Sequence, residues 1–300
     1  MKISPCRKQC HDYPMSIFRK PRTILIKAGL LLTLGAPPAQ AAKEIHWYLA
    51  DVPAVHVANG ERKNQGFVDQ MLTEQLIPKL SKYEHKIQIV PAARREGMLK
   101  SDTKSCAPGL FKNGDRGSIV FSSPYLAALS PGIFGLKDSE ATTKRFESKL
   151  GQLNLQQILK DGKLTVGVVA GRSYGADMDK ILASYAGKPN IYQINSRDAV
   201  DSLKKMLLKK RIDLVLANPY EPGFLEFTFW PLADQPDYML VYAACARSDE
   251  GKEIIADINK ILRQPSVREA ARKYFESWLK KEHVVLAKNV QEKAKREFKD

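Results

Sequence analysis

Residues Gly171-Arg172-Ser173-Tyr174 are of the types found in an anion-binding turn. They follow a nearly continuous apolar run, residues 164–170, and open a stretch with helical character. Glycine lets the backbone approach a ligand closely, and a serine can cap the first turn of a helix. The free N–H groups and the positive end of such a helix attract anions. We therefore expect these four residues to contact a ligand; the alternative is an ordinary helix cap.

The sequence contains no comparable pattern for a metal site or for a catalytic nucleophile. The five histidines show no metal-ligand spacing, and the chain contains neither HExxH nor CxxC. No nucleophile–histidine–acid arrangement is visible either. We therefore expect no metal, no cofactor and no catalytic residues.

The first 41 residues have the order of a secretory signal peptide. A basic stretch precedes the apolar run 28–36, and Ala39-Gln40-Ala41 supplies the small residues of a cleavage site. The apolar run is shorter than the roughly 20 residues of a membrane-spanning helix. We predict cleavage near Ala41 and a periplasmic location. An uncleaved anchor, and translation from Met15 rather than Met1, are the alternatives.

The net charge of +15 is raised by this leader, which carries seven Lys/Arg and one acidic residue. The remaining charges are scattered, apart from the last twenty residues. In an exported protein this balance favours solvation and some attraction to anionic ligands or envelope polymers over nucleic acid binding.

Two series of alternating strands and helices follow the leader. The first series has strands at 44–50 and 86–91, helices at 68–83 and 94–100, and short extended segments at 106–111 and 118–122. The second has strands at 164–170, 191–194 and 212–217, and helices at 173–186 and 197–209. A strand at 238–246, helices at 249–262 and 266–279 and a charged, frayed or solvent-facing tail complete the chain. This alternation predicts an α/β protein with mainly parallel sheets flanked by helices.

Five segments give a more specific signal when they are taken in order. They are Gly66-Phe67-Val68-Asp69, Arg116 with Val120-Phe121-Ser122-Ser123-Pro124-Tyr125, the strand and turn at 166–173, residues 211–218, and the helix at 265–278. Together they resemble motifs of the type II periplasmic solute-binding proteins of extracellular solute-binding family 3, which includes amino-acid-binding proteins. The resemblance covers about residues 44–278.

The resemblance implies two lobes joined by two crossover segments, with a ligand in the cleft between them. Lobe one would comprise residues 42–137 and 238–300, and lobe two residues 138–237. Ligands of open α/β sheets lie beyond the carboxyl ends of the strands, where the motifs fall.

Arg116 and Asn218 carry the ligand expectations that the resemblance implies. In amino-acid-binding members an arginine at the position of Arg116 makes a two-pronged contact with the ligand carboxylate, as its planar fork allows. Because the segment is one residue shorter here, a surface arginine is the alternative. Those members place Asp at the position of Asn218, to pair with the ligand ammonium. Glu221 or Asp51 could supply that charge instead.

The remaining candidates lie at predicted strand ends. The resemblance places an aromatic platform near Trp47, Tyr48 and Asp51, and strand alternation allows only one of the two aromatic rings to face the cleft. Three further ligand candidates follow the same logic: Arg94, Phe111 and Tyr220.

Cys106 and Cys245 are the cysteines that remain after the leader. The resemblance places both on neighbouring strands of lobe one, so we expect a disulfide, with two buried thiols as the alternative.

The function implied is that of an exported, monomeric binding protein without enzyme activity. It would close over a small polar solute that is anionic or bears a carboxylate, and a transporter or sensor would recognise the closed form. Two alternatives stay open: a dehydratase-like enzyme on the same scaffold, and a sensory or scaffold relative that binds no ligand.

Overall fold

The computed structural model describes residues 43–50, 52–90, 92–112, 117–196 and 199–298. The strands are β1 (Lys43–Leu49), β2 (Tyr83–Ile89), β3 (Ser105–Phe111), β4 (Ile119–Phe121), β5 (Leu126–Leu129), β6 (Gly132–Gly135), β7 (Val166–Val169), β8 (Ile191–Ile194), β9 (Leu214–Ala217), β10 (Thr228–Trp230) and β11 (Tyr238–Ala246). The α-helices are α1 (Phe67–Gln70), α2 (Ala92–Ser101), α3 (Glu140–Thr143), α4 (Leu155–Asp161), α5 (Ala176–Ser184), α6 (Ala199–Leu208), α7 (Asp249–Leu262), α8 (Pro265–Glu276) and α9 (Lys281–Lys293). The predicted signal peptide, residues 1–41, lies outside the described residues.

The strands form two separate sheets, as the alternating pattern predicted. In the first sheet the order is β2-β1-β3-β11-β4, and β5 also pairs with β11. In the second sheet the order is β10-β6-β9-β7-β8. Each sheet is parallel on one side and antiparallel on the other: β1 runs parallel to β2 and β3, whereas β11 is antiparallel to β3, β4 and β5.

Two short crossings connect the sheets. The chain leaves the first sheet between β5 and β6, and it returns between β10 and β11. Residues 132–135, which the predicted division assigns to lobe one, therefore pair within the second sheet. The second crossing, residues 231–237, ends where lobe two was predicted to end. The lobe boundaries themselves stay a prediction.

Helices cover both faces of each sheet. The main core of the first sheet lies against α1, α7, α8 and α9, and a smaller core lies under α2 on the opposite face. The second sheet has one core against α4 and α5 and another against α6. Burial on both faces explains why residues 214–217 read as a continuous apolar run rather than an alternating one.

The helix after β1 is short because of Pro78. The predicted helix at 68–83 is α-helical only over Phe67–Gln70, continues as a π-helix over Met71–Leu76 and ends in a 3-10 turn at Ile77–Lys79. Proline has no N–H to donate, so α-helical hydrogen bonding cannot continue through this position.

The C-terminal tail is packed, which corrects the expectation of a frayed or solvent-facing helix. Helix α9 lies against β5 and buries His283, Ala287 and Val290. These residues recur at helical spacing, but histidine and alanine give a weak hydrophobic signal. Among the described residues, no helix is long and apolar enough to cross a membrane.

Cys106 and Cys245 form a disulfide, which confirms the predicted pairing. The two residues face each other across the antiparallel pair β3–β11, with their Cα atoms 4.0 Å apart. Both are fully buried. The bridge therefore ties the returning strand β11 to β3 of the first sheet.

Replacing both cysteines by alanine should lower the free energy of unfolding by about 2–5 kcal/mol, because the bridge closes a loop of 139 residues in the unfolded chain. Urea unfolding of the oxidised protein and the double variant measures the difference. Adding a thiol reductant should lower the free energy of unfolding of the wild type and leave that of the double variant unchanged. Equal stability of the oxidised wild type and the variant would contradict the prediction.

Candidate functional site

The segment after β9 reaches the core of the first sheet at Tyr220. This residue follows the carboxyl end of β9, yet its ring packs edge-on against Phe67 and Phe275, with ring centroids 5.6 and 5.4 Å apart. Phe67 opens the helix that follows β1, and Phe275 lies on α8. Tyr220 is 1% exposed and belongs to the core of the first sheet. The connection after β9 is thereby anchored in the other half of the molecule.

Helix α9 holds the same connection from a second side. The Nδ1 atom of His283 lies 3.3 Å from the carbonyl oxygen of Pro219, and its ring packs edge-on against Phe229 at 5.1 Å. Burial lowers the pKa of His283, so its neutral ring donates the hydrogen bond through Nδ1.

A buried ion pair lies directly beside Tyr220. Arg172, in the turn after β7, donates from Nη1 to Oε2 of Glu221 at 3.1 Å, and its Nη2 lies 3.0 Å from Oε1. The Glu221 side chain is fully buried, and that of Arg172 is 15% exposed. Burial opposes the guanidinium charge, but the carboxylate outweighs this effect and raises the pKa of Arg172 above its usual value. The planar fork of arginine makes both contacts at once.

Asn218 completes this network. Its backbone N–H and its Nδ2 atom both donate to Oε1 of Glu221, at 2.9 and 2.7 Å. The carboxylate that the sequence suggested as a partner for a ligand ammonium therefore bonds to Arg172 and Asn218 on both of its oxygens.

The turn Gly171–Tyr174 is also hydrogen-bonded within the protein, to Asp179 of helix α5. Asp179 accepts from the hydroxyl of Ser173 at 2.6 Å and from the N–H of Tyr174 at 2.8 Å. Helix α5 starts after the N-cap Gly175, at φ 115°, so Ser173 precedes the cap that the sequence expected it to form. A bound anion at this turn would have to share these donors with Asp179.

Tyr174 turns inward rather than towards solvent. Its ring belongs to the core of the second sheet, and its hydroxyl accepts a hydrogen bond from the Val169 N–H at 2.9 Å. Burial raises the pKa of Tyr174.

The predicted residues of the first sheet occupy other positions. Trp47 is fully buried and donates from Nε1 to His85 at 3.0 Å, whereas Tyr48 lies on the opposite face and donates to Asp102 at 3.0 Å. Phe111 packs half-buried against the first core, and Arg94 is exposed on α2. No hydrogen bond or ion pair that the structure describes joins Trp47, Tyr48 or Arg94 to Arg172. Asp51 and Arg116 lie outside the described residues.

A cavity of about 390 Å³ opens between the two halves next to this network. Its walls come from the loop after β1, the end of α8 and the turn after Glu221; they are Val57, Asn59, Glu61, Arg62, Pro222, Leu225, Ser277, Trp278 and Leu279. Sequence reasoning did not single out Arg62 or Trp278 as site residues. They lie more than 200 positions apart, so no local pattern joins them. No group of three or more His, Cys, Asp or Glu residues in the described ranges could hold a metal ion.

Tyr220→Ala should lower the free energy of unfolding by about 3–5 kcal/mol, the usual cost of truncating a buried large aromatic residue. The matched control is Tyr192→Ala, since Tyr192 is 41% exposed on β8 and should cost less than about 1 kcal/mol. Chemical unfolding of the three proteins measures both values. A cost at Tyr220 no larger than at Tyr192 would show that this contact does not hold the two halves together.

Comparison with solved structures identifies proteins of similar fold, whereas the two sequence comparisons find no match. No protein-family profile matches the chain, and no curated protein matches it. Solved structures do match, at 14–17% identity. An ancestral amino acid-binding protein, described as a precursor of cyclohexadienyl dehydratase, has a TM-score of 0.55 at 16% identity over 80% of this chain and 96% of its own.

Two further solved structures show the same likeness. An amino acid ABC transporter substrate-binding protein from Streptococcus pneumoniae, bound to L-arginine, has a TM-score of 0.52 at 14% identity over 80% of this chain and 97% of its own. A histidine kinase sensor domain with similarity to periplasmic binding proteins has a TM-score of 0.54 at 14% identity, covering 78% and 95%. These matches confirm the two-sheet fold that the five sequence segments predicted.

Proposed function

We propose that this chain, which has the fold of type II periplasmic binding proteins, is an exported binding protein for a small polar solute that bears a carboxylate. The observation that carries the proposal is the Arg172 fork, held by a buried carboxylate where the strand ends of the second sheet reach the first sheet. Open α/β sheets bind their ligands at such positions.

The hydrogen bonds of Arg172 favour a carboxylate ligand. A guanidinium has five N–H donors, and the contacts to Glu221 use one on each terminal nitrogen. Three donors remain, and the side chain is 15% exposed, so we infer that these donors face the solute. A second contact from Arg116, as the resemblance implies, would place cations on both sides of the solute.

The same network disfavours a ligand ammonium. Both oxygens of Glu221 are bonded within the chain, and Asn218 carries no charge. Within this described network, an amino acid would therefore find a donor for its carboxylate but no unbonded carboxylate for its ammonium. We infer an organic acid without an amino group, in contrast to the arginine bound by the Streptococcus pneumoniae protein.

Export and signalling extend this proposal. A buried disulfide supports folding in an oxidising compartment, in agreement with the predicted leader. One structural neighbour is a transporter component and another a sensor domain, so a transporter or a sensor is the partner class we propose. The chain would act as a monomer that changes the spacing of its lobes when the solute binds.

A binding role fits the site better than catalysis. The neighbour described as a dehydratase precursor keeps an enzyme as the alternative. Acid–base catalysis needs a carboxyl group that reaches the substrate with an exchangeable proton. Glu221 is instead fully buried and bonded to Arg172 and Asn218, so its role is to orient the guanidinium.

Isothermal titration of the full chain with organic acids, amino acids and small peptides tests the proposal. We expect saturable 1:1 binding of one or more organic acids without turnover. Arg172→Lys should weaken it at least about tenfold, because lysine keeps the charge beside Glu221 but lacks the planar fork.

The matched control is Lys180→Met, which removes an exposed cation from the adjacent helix α5 and should leave affinity unchanged. Preference for amino acids, conversion of the solute to a product, or an affinity that Arg172→Lys does not alter would each contradict the proposal. Binding of no solute in any class would favour the non-binding relative.

A further inference from the structure

We propose that the cavity beside Arg62 and Trp278 is a second, separate binding site, for a small monocarboxylate with an apolar body. This inference goes beyond the proposed function, because neither Arg172 nor Glu221 lines this second cavity.

Arg62 has no anionic partner among the described residues. Its guanidinium carbon lies 3.4 Å from the centre of the Trp278 ring, and its Nη2 donates to the Ser277 hydroxyl at 3.4 Å. In the described part of the chain no carboxylate lies within ion-pair distance of it, whereas Arg145, Arg172 and Arg272 each have one. Burial lowers the pKa of Arg62, and no neighbouring acid offsets that effect. An anion in the cavity would meet a guanidinium that no carboxylate of the described residues occupies.

The geometry of this cation is fixed in advance. Trp278 is 5% exposed, and its Nε1–H donates to the carbonyl oxygen of Gln65 at 3.1 Å. The indole therefore forms a rigid surface, and stacking orients the guanidinium plane upon it. A group held in place before binding loses less conformational entropy when a ligand arrives.

The other wall residues define the ligand class. Val57, Pro222, Leu225 and Leu279 give the cavity an apolar surface, which suits a hydrocarbon or aromatic body. Glu61 also lines the cavity and would repel a second negative charge. One carboxylate at Arg62 satisfies both conditions, whereas phosphates and dicarboxylates do not. The cavity has a volume of about 390 Å³ and is open to solvent on one side.

Occupation of this site would link the two halves of the molecule. Arg62 and Trp278 belong to the part built on the first sheet, whereas Pro222 and Leu225 follow β9 of the second sheet. A ligand in contact with both walls stabilises the arrangement in which they face each other. The second site is therefore positioned to modulate lobe closure.

Titration calorimetry with benzoate, and with its uncharged analogue benzamide, tests the inference on the full chain. We expect saturable binding of benzoate and at least tenfold weaker binding of benzamide. Arg62→Gln should weaken benzoate binding at least tenfold. Because Arg62 is exposed at the surface end of the stack, its replacement should leave the fold intact, which the unfolding midpoint checks.

Two control variants separate this site from the first one. Arg211→Gln removes an exposed arginine elsewhere and should not change benzoate affinity. Arg172→Lys should also leave it unchanged, so failure of the second site and failure of the proposed function give different results. Loss of benzoate binding in Arg172→Lys but not in Arg62→Gln would overturn the inference, as would no benzoate binding at millimolar concentration.

Glu61→Gln tests the ligand class independently. Without the Glu61 carboxylate, the cavity should admit phthalate, which carries two carboxylates, and bind benzoate more tightly. Unchanged selectivity against phthalate would show that Glu61 does not set the charge of the ligand and would reject the monocarboxylate assignment.

Discussion

Strand β11 is the element on which the two-sheet arrangement depends. It returns after the whole second sheet has been formed and pairs antiparallel with β3, β4 and β5. Without this pairing β4 and β5 would have no partner in the first sheet that the structure describes. The disulfide at Cys106 and Cys245 links β11, which follows the inserted sheet, to β3, which precedes it in the chain. The second sheet is consequently held by two crossings and can face the first without being continuous with it.

The cost of burying a charge explains the internal bonding of the predicted cleft. Glu221 is fully buried, and a carboxylate without a partner there would cost several kcal/mol. Arg172 and Asn218 satisfy it, so the arginine is oriented by the protein before any solute arrives. Asp179 does the same for the turn at Ser173. The residue types of an anion site are present, but the chain supplies part of its own counter-charge.

The sequence predicted the strands and helices whose bounds depend on local patterns. The bounds of β8, β11 and α7 agree with the structure, because apolar runs and helical spacing are properties of short segments. Among long-range contacts between residues, the sequence predicted only the disulfide, and it did so through the resemblance that the order of the motifs supports. The stack of Arg62 on Trp278 was not accessible, since an exposed arginine and a helix-end tryptophan are ordinary in isolation. The packing of α9 was missed because His283 and Ala287 are weak hydrophobic signals.

The segment from Asn218 to Pro222 connects these observations. Asn218 and Glu221 bond to each other and to Arg172, the ring of Tyr220 is inserted into the first core, and His283 contacts the Pro219 carbonyl. Pro222 then forms a wall of the cavity beside Arg62. Arg172 and the cavity beside Arg62 therefore border the same five residues, which follow β9 of the second sheet and reach the first core through Tyr220.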